Sequence, residues 1–188
     1  MKIDSTQLLS NLQVLTDELI ATVKHFKTLD FKYLQSKETP EKWSALECLE
    51  HLNLYGDFYL PEIEKRIFAA QQSNQNQMFK SGLLGDYSAK SMQIKNGNIS
   101  KMKTFKEMNT NNSVLDIKCL ERFLKQQERI KTLLAAAEKI DLNRVKTSIS
   151  ISKYIKFKIG DTFRFIIYHN QRHIIQAENA IKFAQKNS

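Results

Sequence analysis

From Ser5 to Phe26 the apolar residues Leu8, Leu12, Leu15, Leu19, Val23 and Phe26 recur at steps of three and four, the spacing that gathers side chains into one stripe along a helix. The pattern predicts a first helix over that stretch. A second is predicted to start after Ser44, because Ser44 and Glu47 stand in the register in which each side chain accepts from the other's backbone N–H. Its inward stripe is Leu46, Leu49, Leu52, Tyr55, Tyr59, Ile63 and Ile67. Pro61 lacks a backbone donor, which favours a kink or a break near Phe58. Between Gln71 and Asn112 the chain turns polar, with a Gln/Asn cluster, Gly82, Gly85, Gly97 and short apolar pieces such as Leu83-Leu84. This reads as a long excursion over the surface, and connections of that length commonly cover a site. Ser113 with Asp116 offers a cap for a third helix through Leu120, Phe123, Leu124, Ile130, Leu133, Leu134 and Ala137 to about Ile140. A polar, β-branched linker follows, and Gly160-Asp161 precedes a last helix from about Thr162 to Ala184. The expected fold is all-α: a single domain over residues 1–188, built as a four-helix bundle with a long polar insert between helices two and three.

Composition narrows the function classes. Five glycines and two prolines argue against hairpin-rich sheets and Gly-rich phosphate loops. No apolar run approaches the length a bilayer needs, and Met1 to Ser10 are followed by alternating polar and apolar residues without the unbroken hydrophobic stretch of a secretory signal, so no membrane segment and a cytoplasmic location are expected, with Cys48 and Cys119 reduced. The net charge of +9 admits nucleic acid, anionic small molecules or a solvated lysine-rich surface. Lysines are spread over every segment, and the densest group, Lys95, Lys101, Lys103 and Lys106, has Phe105 as its one aromatic neighbour. With no recognition-helix or zinc-finger pattern, nucleic acid is disfavoured.

The core seam of the last helix carries the chemistry. It runs Thr162, Ile166, His169, His173, Gln176, Ala180, Phe183, so three successive core positions are polar. Each such group costs on the order of 1 to 3 kcal/mol if buried without a partner. Histidines at i and i+4 lie a turn apart on one face and can aim a ring nitrogen each at one cation. His51 on the second helix sits among Cys48, Leu52 and Tyr55, an inward and apolar setting, whereas His25 lies between Lys24 and Lys27. An early-turn residue of one bundle helix can meet a mid-helix pair on another. Three converging imidazoles would leave a fourth coordination position open, the pattern of a catalytic site; the alternative is three core histidines bonded individually.

Their neighbours have two readings each. Gln176 can hold a metal-bound water or a histidine ring, or simply plug the seam. Cys48 can be a soft ligand or a nucleophile, but reads first as a small buried hydrophobe. Tyr55 can donate a proton or fill the core, Glu47 can accept from a group around His51 but reads first as a cap, and Trp43 can be a platform for substrate but reads first as an anchor for the start of the second helix.

The stretch from Trp43 to Leu52 resembles the W-S opening with its later His-Leu in the second helix of the DinB-like superfamily, and His169 to Gln176 matches that family's H-x3-H-x2-Q signature. Lys101 to Thr104 and the lead-in from Asp161 to Phe165 are similar to its longer branch. The resemblance implies a bundle holding a divalent metal, often zinc or nickel, on a histidine triad, here His51, His169 and His173, frequently as a homodimer. Family members include transferases and isomerases that use a low-molecular-weight thiol, such as bacillithiol S-transferases and mycothiol-dependent maleylpyruvate isomerases. The expected function is a metal-dependent transferase, or a hydrolase, that uses such a thiol or acts on a small electrophile. The rival is a non-enzymatic stress-response or binding protein that keeps the bundle and the metal site.

Overall fold

A computed structural model describes residues 1–70, 77–94 and 102–187. Strand β1 (Lys2–Asp4) leads into helix α1 (Ser5–Phe26), whose boundaries are those the apolar spacing predicts. Asp4 caps it, accepting from the Gln7 amide at 2.9 Å. A short helix α2 (Phe31–Gln35) follows, and then α3 (Ala45–Ala69). The predicted capping box is formed: the Glu47 amide donates to Ser44 Oγ at 3.2 Å, and the Ser44 amide to Glu47 Oε2 at 2.8 Å. α3 is not broken near Phe58. It runs through Pro61 to Ala69, because Pro61 and Asp57 both face solvent, where water can take the carbonyl that the missing N–H leaves free.

The insert is more structured than its composition suggests. Strand β2 (Met78–Lys80) pairs antiparallel with β1, and helix α4 (Leu83–Met92) packs on the last helix. A one-turn 3-10 segment covers Lys106–Met108. The Gln/Asn cluster at 71–76, Gly97, Lys95 and Lys101 lie outside the described residues. Helix α5 (Lys118–Ala137) starts later than the Ser113/Asp116 register predicts. Its N-cap is Ile117, and Asp116 accepts instead from the Lys118 amide at 2.8 Å. The supposed linker is an antiparallel hairpin of β3 (Lys146–Ile149) and β4 (Ser152–Lys158). Helix α6 (Ile159–Lys186) then begins before Gly160-Asp161, which lie inside its first turn.

Among the described residues the protein is mostly helical, with two small antiparallel pairings. α3 packs against α5 and α6, and α1 packs against the same two, so the order around the four long helices is α1, α5, α3, α6. Two apolar clusters fill the space between them. One holds Leu8, Leu12, Tyr59, Ile63, Phe79 and Ile166; the other holds Leu19, Val23, Leu46, Leu49, Ile174 and Ile181. Thr162, the first polar position of the seam, is answered by Thr147 on β3 at 2.6 Å. The seam's far end leaves the core, with Phe183 exposed.

Candidate metal centre

Where the two apolar clusters meet, α3 and α6 bring together the three histidines the sequence singles out. His51 sits in the second turn of α3, held by the capping box at its start, and His169 and His173 lie one turn apart on α6. One ring nitrogen from each lies within 4.8 Å of the others, and this is the sole such group of histidine, cysteine or carboxylate side chains among the described residues. Ring centroids are 4.6 to 5.1 Å apart. His51 and His169 are buried, and His173 keeps some surface toward an open cavity of about 920 Å³. His25 is exposed, far from the group in character as in sequence.

Hydrogen bonds turn the nitrogens inward. His51 Nδ1 lies 2.6 Å from the Met108 carbonyl, which can only accept, so Nδ1 carries the proton and Nε2 presents its lone pair. His173 Nδ1 is held in the same way by Gln176 Oε1 at 3.0 Å. His51 Nε2 faces His169 Nε2 at 3.2 Å. His169 Nδ1 is buried without a partner among the described residues, so at least one buried nitrogen of this ring stays unsatisfied whichever tautomer it adopts.

Burial pushes all three histidines down: His51 to about 4, against a small rise from its bond to Met108, His173 to about 3, and His169 well below its ordinary value, with mutual repulsion adding to the last two. At neutral pH the cluster is therefore three uncharged imidazoles with a ring nitrogen of each in one small group, and neutral histidine is the form that binds a metal. The donor set fits a divalent cation with one side open to the cavity. Three imidazoles suit several transition metals and do not select among them.

Aromatic rings close the other sides. Trp43 lies 4.8 Å from His51 and 5.7 Å from His173 between ring centroids. It packs against the core at the start of α3, as an anchor would, and also forms the cavity wall. Tyr55 lies 4.4 Å from His169, and burial pushes its hydroxyl up to about 12, so it stays protonated. Phe165, one turn before His169, stacks on it at 5.8 Å. Arg172 is buried on the same cavity wall. Cys48 is fully buried, with burial raising its thiol pKa, and is not part of the histidine group; it is the small hydrophobe its neighbours suggested. Gln176 holds a histidine ring.

Glu47 does more than cap. Its Oε1 accepts from Lys37 Nζ at 3.2 Å and from the Asn112 amide at 2.5 Å, while its carbonyl accepts from Thr110 Oγ1 at 2.7 Å. These bonds fix the segment that carries Met108 against α3. The described end of the insert therefore reaches the site, as its length suggested. Nothing in the side-chain pattern marks the Met108 carbonyl, since every residue has one. Phe165 and Arg172 were open to discovery, because their spacing from His169 and His173 on one helix puts them beside the seam.

Among the described residues no helix is long and apolar enough to cross a membrane. The family model described as the DinB superfamily matches residues 15–177, a span that contains all three histidines, Trp43 and the Glu47 cap. No curated protein and no solved structure matches the chain.

Proposed function

The chain belongs to the DinB superfamily, and from that membership we propose that His51, His169 and His173 hold one divalent cation, zinc or nickel, inside the superfamily's four-helix bundle, with residues 1–188 forming one domain. The single observation that carries this reading is the convergence of three neutral imidazole nitrogens on one side of an open cavity. The function that follows is a metal-dependent transferase that joins a low-molecular-weight thiol to a small electrophile, acting in the cytoplasm as a homodimer.

A divalent cation at this position would supply Lewis acidity, lowering the pKa of a thiol or water at its open side. The chain does the rest. Met108 and Gln176 fix the tautomers of His51 and His173, so that the nitrogens need not reorient when a ligand arrives. Trp43, Tyr55 and Phe165 exclude water from three sides and offer an apolar surface to the carbon skeleton of an electrophile. The Arg172 guanidinium on the cavity wall adds positive potential that would favour an anionic thiol.

The test is elemental analysis of the purified, tag-free protein beside the His169→Ala/His173→Ala double variant after mild dialysis. About one metal per wild-type chain and none in the variant is the expected result, followed by thiol-dependent consumption of small electrophiles. A wild type that is empty and takes up neither added zinc nor nickel would overturn the metal reading. Metal without thiol transfer would mark the protein as a non-enzymatic binding or stress-response member.

A further inference from the structure

Tyr55 lies one turn beyond His51 on α3, its ring centroid 5.0 Å from that of His51 and 4.4 Å from that of His169. Trp43 flanks His51 and His173 instead, so the two aromatics bracket the triad and only Tyr55 brings a hydroxyl. Tyr55 is 7% exposed and lines the cavity. Its hydroxyl makes no hydrogen bond to any described residue. Tyr59, one turn further on, shows the usual arrangement: its hydroxyl accepts from the Ser150 amide at 3.3 Å and lies 3.5 Å from Ser150 Oγ. The Tyr55 hydroxyl is thus open to the cavity and is not one of the buried polar atoms left without a partner, which leaves it free to meet a ligand there.

We propose that the Tyr55 hydroxyl donates a hydrogen bond to a small anion, a thiolate or an oxyanion, seated at the open side of the histidine triad, which makes Tyr55 a specificity-determining residue for anions that keep an accepting lone pair while one atom meets the metal. The proposal rests on the metal reading above. A cation on three neutral imidazoles leaves the site positive, and no carboxylate belongs to the histidine group among the described residues. Arg172, 4% exposed on the same wall, adds to that field. An anion is therefore drawn to the triad, beside which the Tyr55 hydroxyl is free to donate.

The experiment uses the cobalt(II)-loaded full chain and azide, a small anion with an acceptor nitrogen at its far end. Cobalt uptake and azide affinity are read from the visible ligand-field bands of the wild type, Tyr55→Phe and Tyr59→Phe. Tyr55→Phe is expected to keep the wild-type cobalt stoichiometry and unfolding temperature while binding azide about tenfold more weakly, the scale of one hydrogen bond to a charged acceptor. Tyr59→Phe, whose hydroxyl is already engaged by Ser150, is expected to bind azide as the wild type does. Equal azide affinity in wild type and Tyr55→Phe overturns the proposal and leaves the metal reading standing. An equal loss in both variants overturns the assignment to Tyr55. Failure of the wild type to take up cobalt overturns the metal reading and this proposal together.

Discussion

Helix α6 buries two polar clusters little more than a turn apart, and they are opposites. In the first, Arg164 Nη1 donates to Asp161 Oδ1 at 2.9 Å, to Asp86 Oδ1 at 3.0 Å and to Ser81 Oγ at 2.8 Å. Asp161 Oδ2 accepts from the Gly82 amide at 2.8 Å, and Asp86 also meets Lys90 at 2.7 Å and the N-terminal amine at 3.5 Å. Each charge meets its opposite, and the cluster ties α4 to α6. The second, His51 with His169 and His173, has neutral nitrogens facing one another and no acid in the group. A buried cluster that closes on its own counter-charges serves the architecture. One made of neutral imidazoles, with a buried nitrogen of His169 left without a partner among the described residues, is suited to receive something positive from outside.

The sharpest way to break this contrast is to open the closed cluster. Arg164→Met leaves the fully buried Asp161 carboxylate without its guanidinium, and unfolding in urea should show a loss of about 3 to 5 kcal/mol, with metal content per folded chain unchanged. A loss below about 1 kcal/mol would mean that the pairing carries no architectural weight.

A pH series on the metal-free protein separates the two clusters by their windows. Unfolded histidine titrates near 6.5, while His51 and His173 are held at about 4 and about 3 in the fold. Below 6.5 the unfolded chain therefore binds protons that the folded one refuses. The histidine contribution is fully present above that pH and is lost as pH falls from 6.5 toward those lower values, at up to about 1.4 kcal/mol per pH unit for each histidine. Asp86 behaves differently. Burial works to raise its pKa, but hydrogen bonds from Lys90 and Arg164 hold it at about 2, so its contribution disappears only below the ordinary carboxylate value of 3.8. Denaturant unfolding between pH 7 and pH 4 should thus be less steep in the His169→Ala/His173→Ala variant than in the wild type. Parallel curves would sink the account of the triad as a set of enforced neutral bases.

The smallest effect concerns how the open cluster is held. Gln176→Leu frees His173 Nδ1 and should weaken metal binding about tenfold in a chelator competition, with unfolding changed by no more than about 1 kcal/mol. Wild-type affinity in that variant would return Gln176 to the role of a seam filler.

How far the sequence announced these features depends on where each signal lives. α1, the capped start of α3 and the three histidines were readable because side-chain type at fixed spacing is what builds them. α4 was hidden because its largest apolar residues, Leu83, Leu84 and Tyr87, point outward, while its buried face is Gly85, Ala89 and Met92. Gly85, which reads as part of the polar insert, and Gly160, which reads as preceding the last helix, are places of close approach inside helices. A Cβ on Gly85 would stand 2.6 Å from the Asp161 side chain, and one on Gly160 would stand 2.6 Å from the Phe79 ring. The β3–β4 hairpin is masked in the sequence because its outward positions Lys146, Lys156 and Lys158 have the composition of a loop. In the site, the three ring positions could be read from α3 and α6, but their orientation could not, because it depends on contacts made across the fold.

The bond from His51 to the peptide oxygen of Met108 gives the centre an unusual relation to mutation. Replacing a side chain leaves the peptide group in place, so an alanine scan through Lys106 to Asn109 would pass over the contact that sets the ring's direction. Residues there are free to drift as long as the backbone path is kept. The site is exposed instead to changes in loop length: inserting or deleting one residue between Phe105 and Thr110 would move the carbonyl away from the imidazole while every metal-facing side chain remained intact.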